Sequence, residues 1–150
     1  WKKVPTAMRG FFTVFGPRQR PDLAISLFMG RISRGESMDV FGQGTSRDYT
    51  FIDDIVRGVL ASYDAIDRYG YRVWNLGGHK PVGLDEMIET IARVVGKPAK
   101  IVRKPMQAGD VMRTYSDLTR SKAELGYEPS SSFEEGVQRQ WDWARGQGLV

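Results

Sequence analysis

Cysteine is absent from all 150 residues, which excludes disulfides, thiolate nucleophiles and cysteine-ligated zinc. Histidine occurs once, at His79, which leaves no imidazole-rich metal site and no Ser-His-Asp arrangement unless that residue serves. No apolar run approaches the roughly 20 residues that span a bilayer, so no membrane partner is expected. A secretory leader is missing as well: Trp1-Lys2-Lys3-Val4-Pro5 passes straight into globular-looking sequence, and a cytoplasmic protein is expected. Blocks of one-signed charge are also lacking. The 22 basic and 18 acidic residues leave a net charge of +4, but the basic side chains are scattered, so no nucleic-acid partner is expected. What remains is an ordinary composition, 41% hydrophobic and 27% charged, in a chain long enough for one compact domain with a core.

Glycines and prolines punctuate a regular alternation of strand and helix. Val4 to Phe15 is apolar and reads as a buried strand ended by Gly16-Pro17. Asp22 can start a helix with Leu23, Leu27, Phe28 and Ile32 on one side, stopped by Gly35. Met38 to Phe41 and Arg47 to Ile52 read as extended, separated by the turn Gly42-Gln43-Gly44. Asp53 or Asp54 is expected to cap a long helix whose apolar face is Ile55, Val59 and Tyr63, with Val56 and Leu60. Tyr71 to Leu76 is a strand ending in Gly77-Gly78, and a helix from Leu84 presents Ile88, Ile91 and Val95. Lys100 to Arg103 reads as a strand and Pro105 to Val111 as a loop; a short helix near Thr119 to Leu125 ends at Gly126. Ser132 with Glu135 three residues on forms a capping box for the last helix. This order predicts an α/β domain, with the strands near Met8 and Val73 inside a parallel sheet covered on both faces. Central strands are nevertheless too few to complete such a sheet.

Three segments carry chemistry. Phe11 to Asp22, FFTVFGPRQRPD, is a strand with Thr13 near its carboxyl end and Arg18 and Arg20 in the loop beyond. Ligands of open α/β sheets bind beyond the carboxyl ends of strands, and a guanidinium fork suits a phosphate; a solvated basic loop is the plainer alternative. Val40 to Asp54, VFGQGTSRDYTFIDD, sets Arg47 beside two glycines that allow close backbone approach. Adjacent Asp53 and Asp54 read as caps in preference to a catalytic pair. Pro105 to Leu118, PMQAGDVMRTYSDL, offers Gln107, Asp110 and Arg113; Asp110 could accept hydrogen bonds from sugar hydroxyls, or the loop could be an ordinary turn with a surface charge pair. His79 has no evident partner.

Taken in order, FFTVFGPRQRPDLA, VFGQGTSRDYTFIDDIVRGV, NLGG, PMQAGDVMRTYSDLTRSKAELGYEP and SFEEGV resemble the extended short-chain dehydrogenase/reductase family, above all its UDP-glucuronate and UDP-glucose 4-epimerases. The resemblance implies the carboxyl-terminal part of a Rossmann-type α/β fold: the last sheet strands plus a small substrate-binding domain. Residues 1–150 would be the substrate-binding half, with the amino-terminal NAD-binding half absent. It also implies NAD as cofactor, a UDP-sugar ligand, a homo-oligomer, and a second chain or missing domain completing the sheet. Neither a Gly-x-x-Gly-x-x-Gly fingerprint nor a Tyr-x-x-x-Lys pair occurs, so no catalytic residue is assigned and the chain alone is expected to be inactive. By position, Thr13 would touch the sugar near C4 or its carboxylate. Arg20, Arg47 and Arg113 would lie near the diphosphate, and Val40 and Phe41 would line the uracil pocket, partly through backbone groups. Asp110, with Gln107 beside it, would reach the ribose, and Thr114 would face the sugar. A UDP-glucuronate decarboxylase, a dehydratase or a non-catalytic nucleotide-sugar module are the alternatives. Two departures stand out: Gly10 adds a residue to the usual Arg-Phe-Phe-Thr, so Thr13's aim depends on whether Gly10 is bulged out, and Gly83 replaces a common serine cap.

Overall fold

The computed structural model describes residues 4–150, so the reading of Trp1 to Lys3 lies outside the described residues. In chain order the elements are β1 (Thr6–Phe11), β2 (Thr13–Phe15), α1 (Ala24–Arg34), β3 (Ser37–Phe41), β4 (Ser46–Arg47), β5 (Tyr49–Phe51) and α2 (Ile52–Tyr69). They continue with β6 (Tyr71–Leu76), β7 (Val82–Gly83), α3 (Leu84–Val95), β8 (Lys100–Lys104), α4 (Thr119–Leu125) and α5 (Phe133–Gly146). The α/β class follows from the sequence pattern. β1 pairs in parallel with β6, β2 with β5 and β3 with β8, whereas β4 and β7 run antiparallel.

The expected single strand from Val4 to Phe15 is two. Gly10 stays in register opposite Asn75, so it is not bulged out, and a Cβ there would stand 2.7 Å from the Asn75 side chain. The ladder instead breaks at Phe12. Beyond it the chain leaves β6 and takes β5 as partner, with Thr13 opposite Tyr49. The additional residue is absorbed by this change of partner, and Thr13 keeps an ordinary strand geometry.

The main core lies where α1, α3 and α5 pack over β2, β3 and β5. Ile25, Met29 and Ile32 of α1 meet Met87, Ile88 and Ile91 of α3 and Val137 and Trp141 of α5, above Phe15, Met38, Val40 and Phe51. Side chains of this size contribute about 1.5–3 kcal/mol each on full burial, and most of these are sealed from solvent. Gly35, Gly96 and Gly126 end their helices in the left-handed conformation, the geometry a Cβ penalises. At α5 the capping box forms as read: the Glu135 N–H donates to Ser132 Oγ at 3.2 Å and the Ser132 N–H to Glu135 Oε2 at 3.1 Å. α1 begins one turn position later than expected, with Leu23 and not Asp22 as the cap residue.

Helix α2 departs from its expected face. Asp54, Ile55, Gly58, Ser62, Ala65 and Ile66 are buried, while Val56, Leu60 and Tyr63 are 48%, 58% and 73% exposed. Small residues win the interior because the helix lies close to β1 and β6; a Cβ on Gly58 would sit 2.6 Å from Leu76 Cδ2. Neither Asp53 nor Asp54 caps α2. The cap residue is Phe51. Asp54 instead accepts from the Ser130 and Ser131 N–H groups at 3.2 Å and from Arg57, and Asp53 pairs with Arg139 at 2.8 Å. Both carboxylates therefore tie α2 to α5 and the segment before it.

β1 and β6 are parallel, yet only one of their faces is covered. Trp74 and Leu76 point beneath α2 and α4 and are fully buried. Met8 and Val73, neighbours in the ladder on the other face, are 53% and 37% exposed. The pair is thus covered on one side only, because no described element packs on the second face.

Candidate functional site

A cleft of about 350 Å³ opens beside the carboxyl end of β3 and the first residue of β5. Its floor is apolar: Leu27 and Phe28 from α1, Phe41 ending β3, Tyr49 from β5, Val82, and Leu84 and Met87 from α3. Its rim is polar, with Asp22, Asp39, Thr45, Ser46, Arg47, Gln107 and Asp110. Local sequence explains the rim. The turn Gly42–Gly44 takes positive φ at both glycines and returns the chain across the cleft as β4. The loop after β8 is held against β4 by Ser46 N–H to Met112 O at 2.9 Å and Thr114 N–H to Ser46 O at 3.2 Å. Arg47 and Asp110, distant in sequence, thus stand together and form an ion pair; Arg47 Nη1 also donates to Ser46 O at 3.0 Å.

Of the nine residues singled out from the sequence, four line this cleft: Phe41, Arg47, Gln107 and Asp110. Arg20 stands at its edge through a hydrogen-bonded ion pair with Asp22, whose carboxyl is held below its usual range by that bond. Val40 is fully buried and belongs to the core, not to the cleft lining. Thr13 is half-buried and its N–H donates to Asp48 O at 3.1 Å. The Thr114 hydroxyl accepts from the Asp48 N–H at 2.9 Å. Arg113 is exposed and lies over the Tyr115 ring at 5.1 Å, while its expected charge partner, Asp110, is taken by Arg47.

Two residues escaped the sequence reading, and a third was misread. Asp48 is fully buried, and its carboxylate accepts from the Gly78, His79 and Ser116 N–H groups at 2.8, 3.2 and 2.7 Å. It locks three segments behind Arg47. The signal was available in the strand alternation of Asp48 with buried Thr50, and in Gly77-Gly78, where a Cβ would lie 2.3 Å from Ser116 Oγ and 2.4 Å from Tyr49 O. His79, read as partnerless, is partnered on both nitrogens: Nδ1 lies 2.7 Å from Ser116 O and Nε2 2.9 Å from the Tyr115 hydroxyl. A carbonyl can only accept, so Nδ1 carries a proton, and in the neutral imidazole the Tyr115 hydroxyl donates to Nε2. Tyr49, on the cleft floor, is the second missed residue. Burial pushes its phenol up to about 12 against the opposing pull of Arg47, and its hydroxyl meets Met87 Sδ at 3.0 Å. It therefore stays protonated at neutral pH and is no general base.

Residues 4–77 match the NAD dependent epimerase/dehydratase family. The chain is 40% identical to a probable UDP-glucuronate 4-epimerase of Rhizobium meliloti over 94% of its own length and 47% of that protein's. Identity is also 40% to the UDP-glucuronate 4-epimerase of Thermodesulfobacterium geofontis, over 90% of this chain and 42% of that one. The Bacillus cereus UDP-glucuronic acid 4-epimerase, solved with UDP-glucuronic acid and NAD, superposes with a TM-score of 0.87 at 30% identity, over 95% of this chain and 46% of that one. This chain carries, in residues 4–77, a domain of the NAD-dependent epimerase/dehydratase family. It spans about half the length of the curated family members it matches. The Rossmann-type α/β architecture is shared with these epimerases, including the Thermotoga maritima UDP-glucose 4-epimerase solved with UDP-glucose, at TM-score 0.83, 30% identity and coverage of 94% and 46% of the two chains. Among the described residues no group of His, Cys, Asp or Glu could hold a metal ion, and no helix is long and apolar enough to cross a membrane.

Proposed function

We propose that these 150 residues form the nucleotide-sugar-binding half of a UDP-sugar 4-epimerase, working with an NAD-binding half that lies outside them. The observation that carries the reading is the meeting of Arg47 from one motif with Gln107 and Asp110 from another over an apolar floor that includes Phe41. A flat base can lie on that floor, a diphosphate can take the Arg47 fork, and the carboxylate and amide of the loop can accept and donate to hydroxyls. Arg20, exposed on its loop, can swing from Asp22 to add a second guanidinium. Thr13, Val40, Arg113 and Thr114 would act from the margin, through backbone groups or after the loop moves.

NAD fits the family but not these residues. The glycine turn that follows β6 is already filled, since the Gly78 and His79 N–H groups donate to the Asp48 carboxylate. No dinucleotide phosphate could use them without displacing a buried charge. No hydride step is therefore drawn through this chain, whose task in the proposal is to bind and orient the sugar nucleotide. The reading favours an oligomeric protein of the cytoplasm.

Calorimetry with UDP and UDP-glucuronate tests the binding. Wild-type chain should bind both, and Arg47→Ala should weaken both at least about tenfold, the usual cost of a charged hydrogen bond. UDP binding that is absent, or indifferent to Arg47, would sink the proposal. Joined to an NAD-binding half, the protein should invert the sugar at C4; a decarboxylated or dehydrated product would reassign the branch.

A further inference from the structure

The cleft holds a charge balance at odds with a simple phosphate grip. Its lining contributes three carboxylates, Asp22, Asp39 and Asp110, against a single guanidinium, Arg47. Each carboxylate has a cation: Asp22 pairs with Arg20, Asp39 with Lys104 at 3.8 Å, and Asp110 with Arg47. Only the last pair has both members in the lining. An entering anion therefore meets no free cation in the lining, and to engage the one guanidinium there it must break the Arg47–Asp110 pair.

The loop is built so that this pair can open. Residues 105–113 are exposed throughout. The loop is anchored at one end by Gly42 N–H to Lys104 O and at the other by the Ser46 bonds to Met112 and Thr114. Between these anchors, Asp110 is tied to the body of the protein by Arg47; its remaining contacts are local, Asp110 N–H to Gln107 O at 3.2 Å and Val111 N–H to its own carboxylate at 3.0 Å. The carboxylate can swing away without breaking any strand ladder.

The geometry points to Asp110 as an exchangeable counter-ion for Arg47 that makes the cleft demand phosphate and hydroxyl groups on one ligand. This inference rests on the nucleoside-diphosphate reading of the cleft. A bare polyphosphate takes Arg47 but leaves Asp110 unpaired beside two further carboxylates and its own charge, which is repulsive. A nucleoside diphosphate takes Arg47 and offers the released carboxylate vicinal hydroxyls as replacement donors. The aspartate thereby rejects free phosphates by the same exchange that admits a sugar nucleotide.

Titration calorimetry at one fixed salt concentration tests the exchange, with inorganic pyrophosphate, UDP and 2′,3′-dideoxy-UDP run against wild type, Asp110→Asn and Asp110→Ala. Freed from its partner, Arg47 should bind pyrophosphate about fivefold more tightly in both variants, the scale of a partly exposed ion pair. UDP should bind about tenfold more weakly, as a charged acceptor is lost, and the variants should no longer tell UDP from its dideoxy analogue. The UDP-to-pyrophosphate preference should then fall by about fiftyfold, the product of those two effects. Pyrophosphate affinity that stays level or drops, or that is undetectable in every protein, overturns the exchange. So does discrimination by the variants against the dideoxy analogue. Failure of wild type to bind UDP would instead overturn the nucleotide reading, while the pyrophosphate comparison still judges the ion pair. Equal thermal midpoints for the three proteins verify that the loop substitutions leave the fold intact.

Discussion

Removing the Asp48 carboxylate should be the most damaging single change near the cleft. The group is fully buried and accepts three backbone N–H groups at 2.7–3.2 Å, with no lysine or arginine among its hydrogen-bond partners within the described residues. Two effects compete. Burying an unpaired carboxylate costs several kcal/mol of desolvation, which its loss would return. Asp48→Ala, however, orphans three donors, each costing about 1–3 kcal/mol when left unsatisfied. Ser116 Oγ already accepts from the His79 N–H at 3.2 Å, so that donor is partly spared. Net of desolvation, a hydrogen bond to a charged group keeps about 1.5–3 kcal/mol, so losing two gives about 4 kcal/mol, a large share of the roughly 5–15 kcal/mol that holds a domain together. At an m-value of about 2 kcal/mol/M, that moves the urea midpoint down by about 2 M. Asp48→Asn should fall between, since its amide keeps one acceptor but turns an N–H toward other donors. A midpoint shift below about 0.5 M for Asp48→Ala at unchanged m would refute the reasoning, by showing that desolvation had cancelled the hydrogen bonds.

Three further outcomes follow from the packing. Gly58→Ala should lower the melting temperature although it favours helix by about 1 kcal/mol, because the new methyl collides with Leu76 and Tyr127; overpacking costs about 1–3 kcal/mol, and a stabilised variant would show that α2 has room to move. Arg72 and, secondarily, Trp74 hydrogen-bond the Glu124 carboxylate and hold its pKa below the usual glutamate value against partial burial. A carboxyl lowered on folding stabilises above its unfolded pKa and loses that contribution as pH falls through its folded value. Denaturation midpoints should therefore drop below about pH 4.3, less steeply in Glu124→Gln, and parallel acid profiles would argue otherwise. Finally, the bare face with Met8 and Val73 and the α2 stripe of Val56, Leu60 and Tyr63 should drive concentration-dependent self-association in sedimentation velocity, relieved by Met8→Lys with Leu60→Glu; a monodisperse wild-type monomer would contradict this.

Periodicity and punctuation made the α/β order, the glycine helix stops and the Ser132 capping box legible in advance. What they missed depends on contacts between segments distant in sequence. Hydrophobicity alone chose Val56, Leu60 and Tyr63 for the inner face of α2, whereas steric clearance under Leu76 decided for Gly58, Ser62 and Ala65. Asp53 and Asp54 looked like caps because the short-range rule is common; apart from Arg57, their partners lie in α5 and the segment before it, out of view of any local window. In the cleft, local sequence singled out Arg47, Gln107 and Asp110 as candidates, and the resemblance suggested their roles. No linear reading could reveal that two of them neutralise each other, or that His79 would find Ser116 and Tyr115.

The change of partner at Phe12 gives the fold a mechanical property. A single extended segment belongs to two parallel pairs, and its second part bonds through the Thr13 N–H to the Asp48 carbonyl, one residue from Arg47. β1 has β6 on one side and no described strand on the other. A strand added along that vacant side would therefore extend the same continuous segment that meets the chain beside Arg47, so an edge-to-edge assembly and the cleft share one length of backbone.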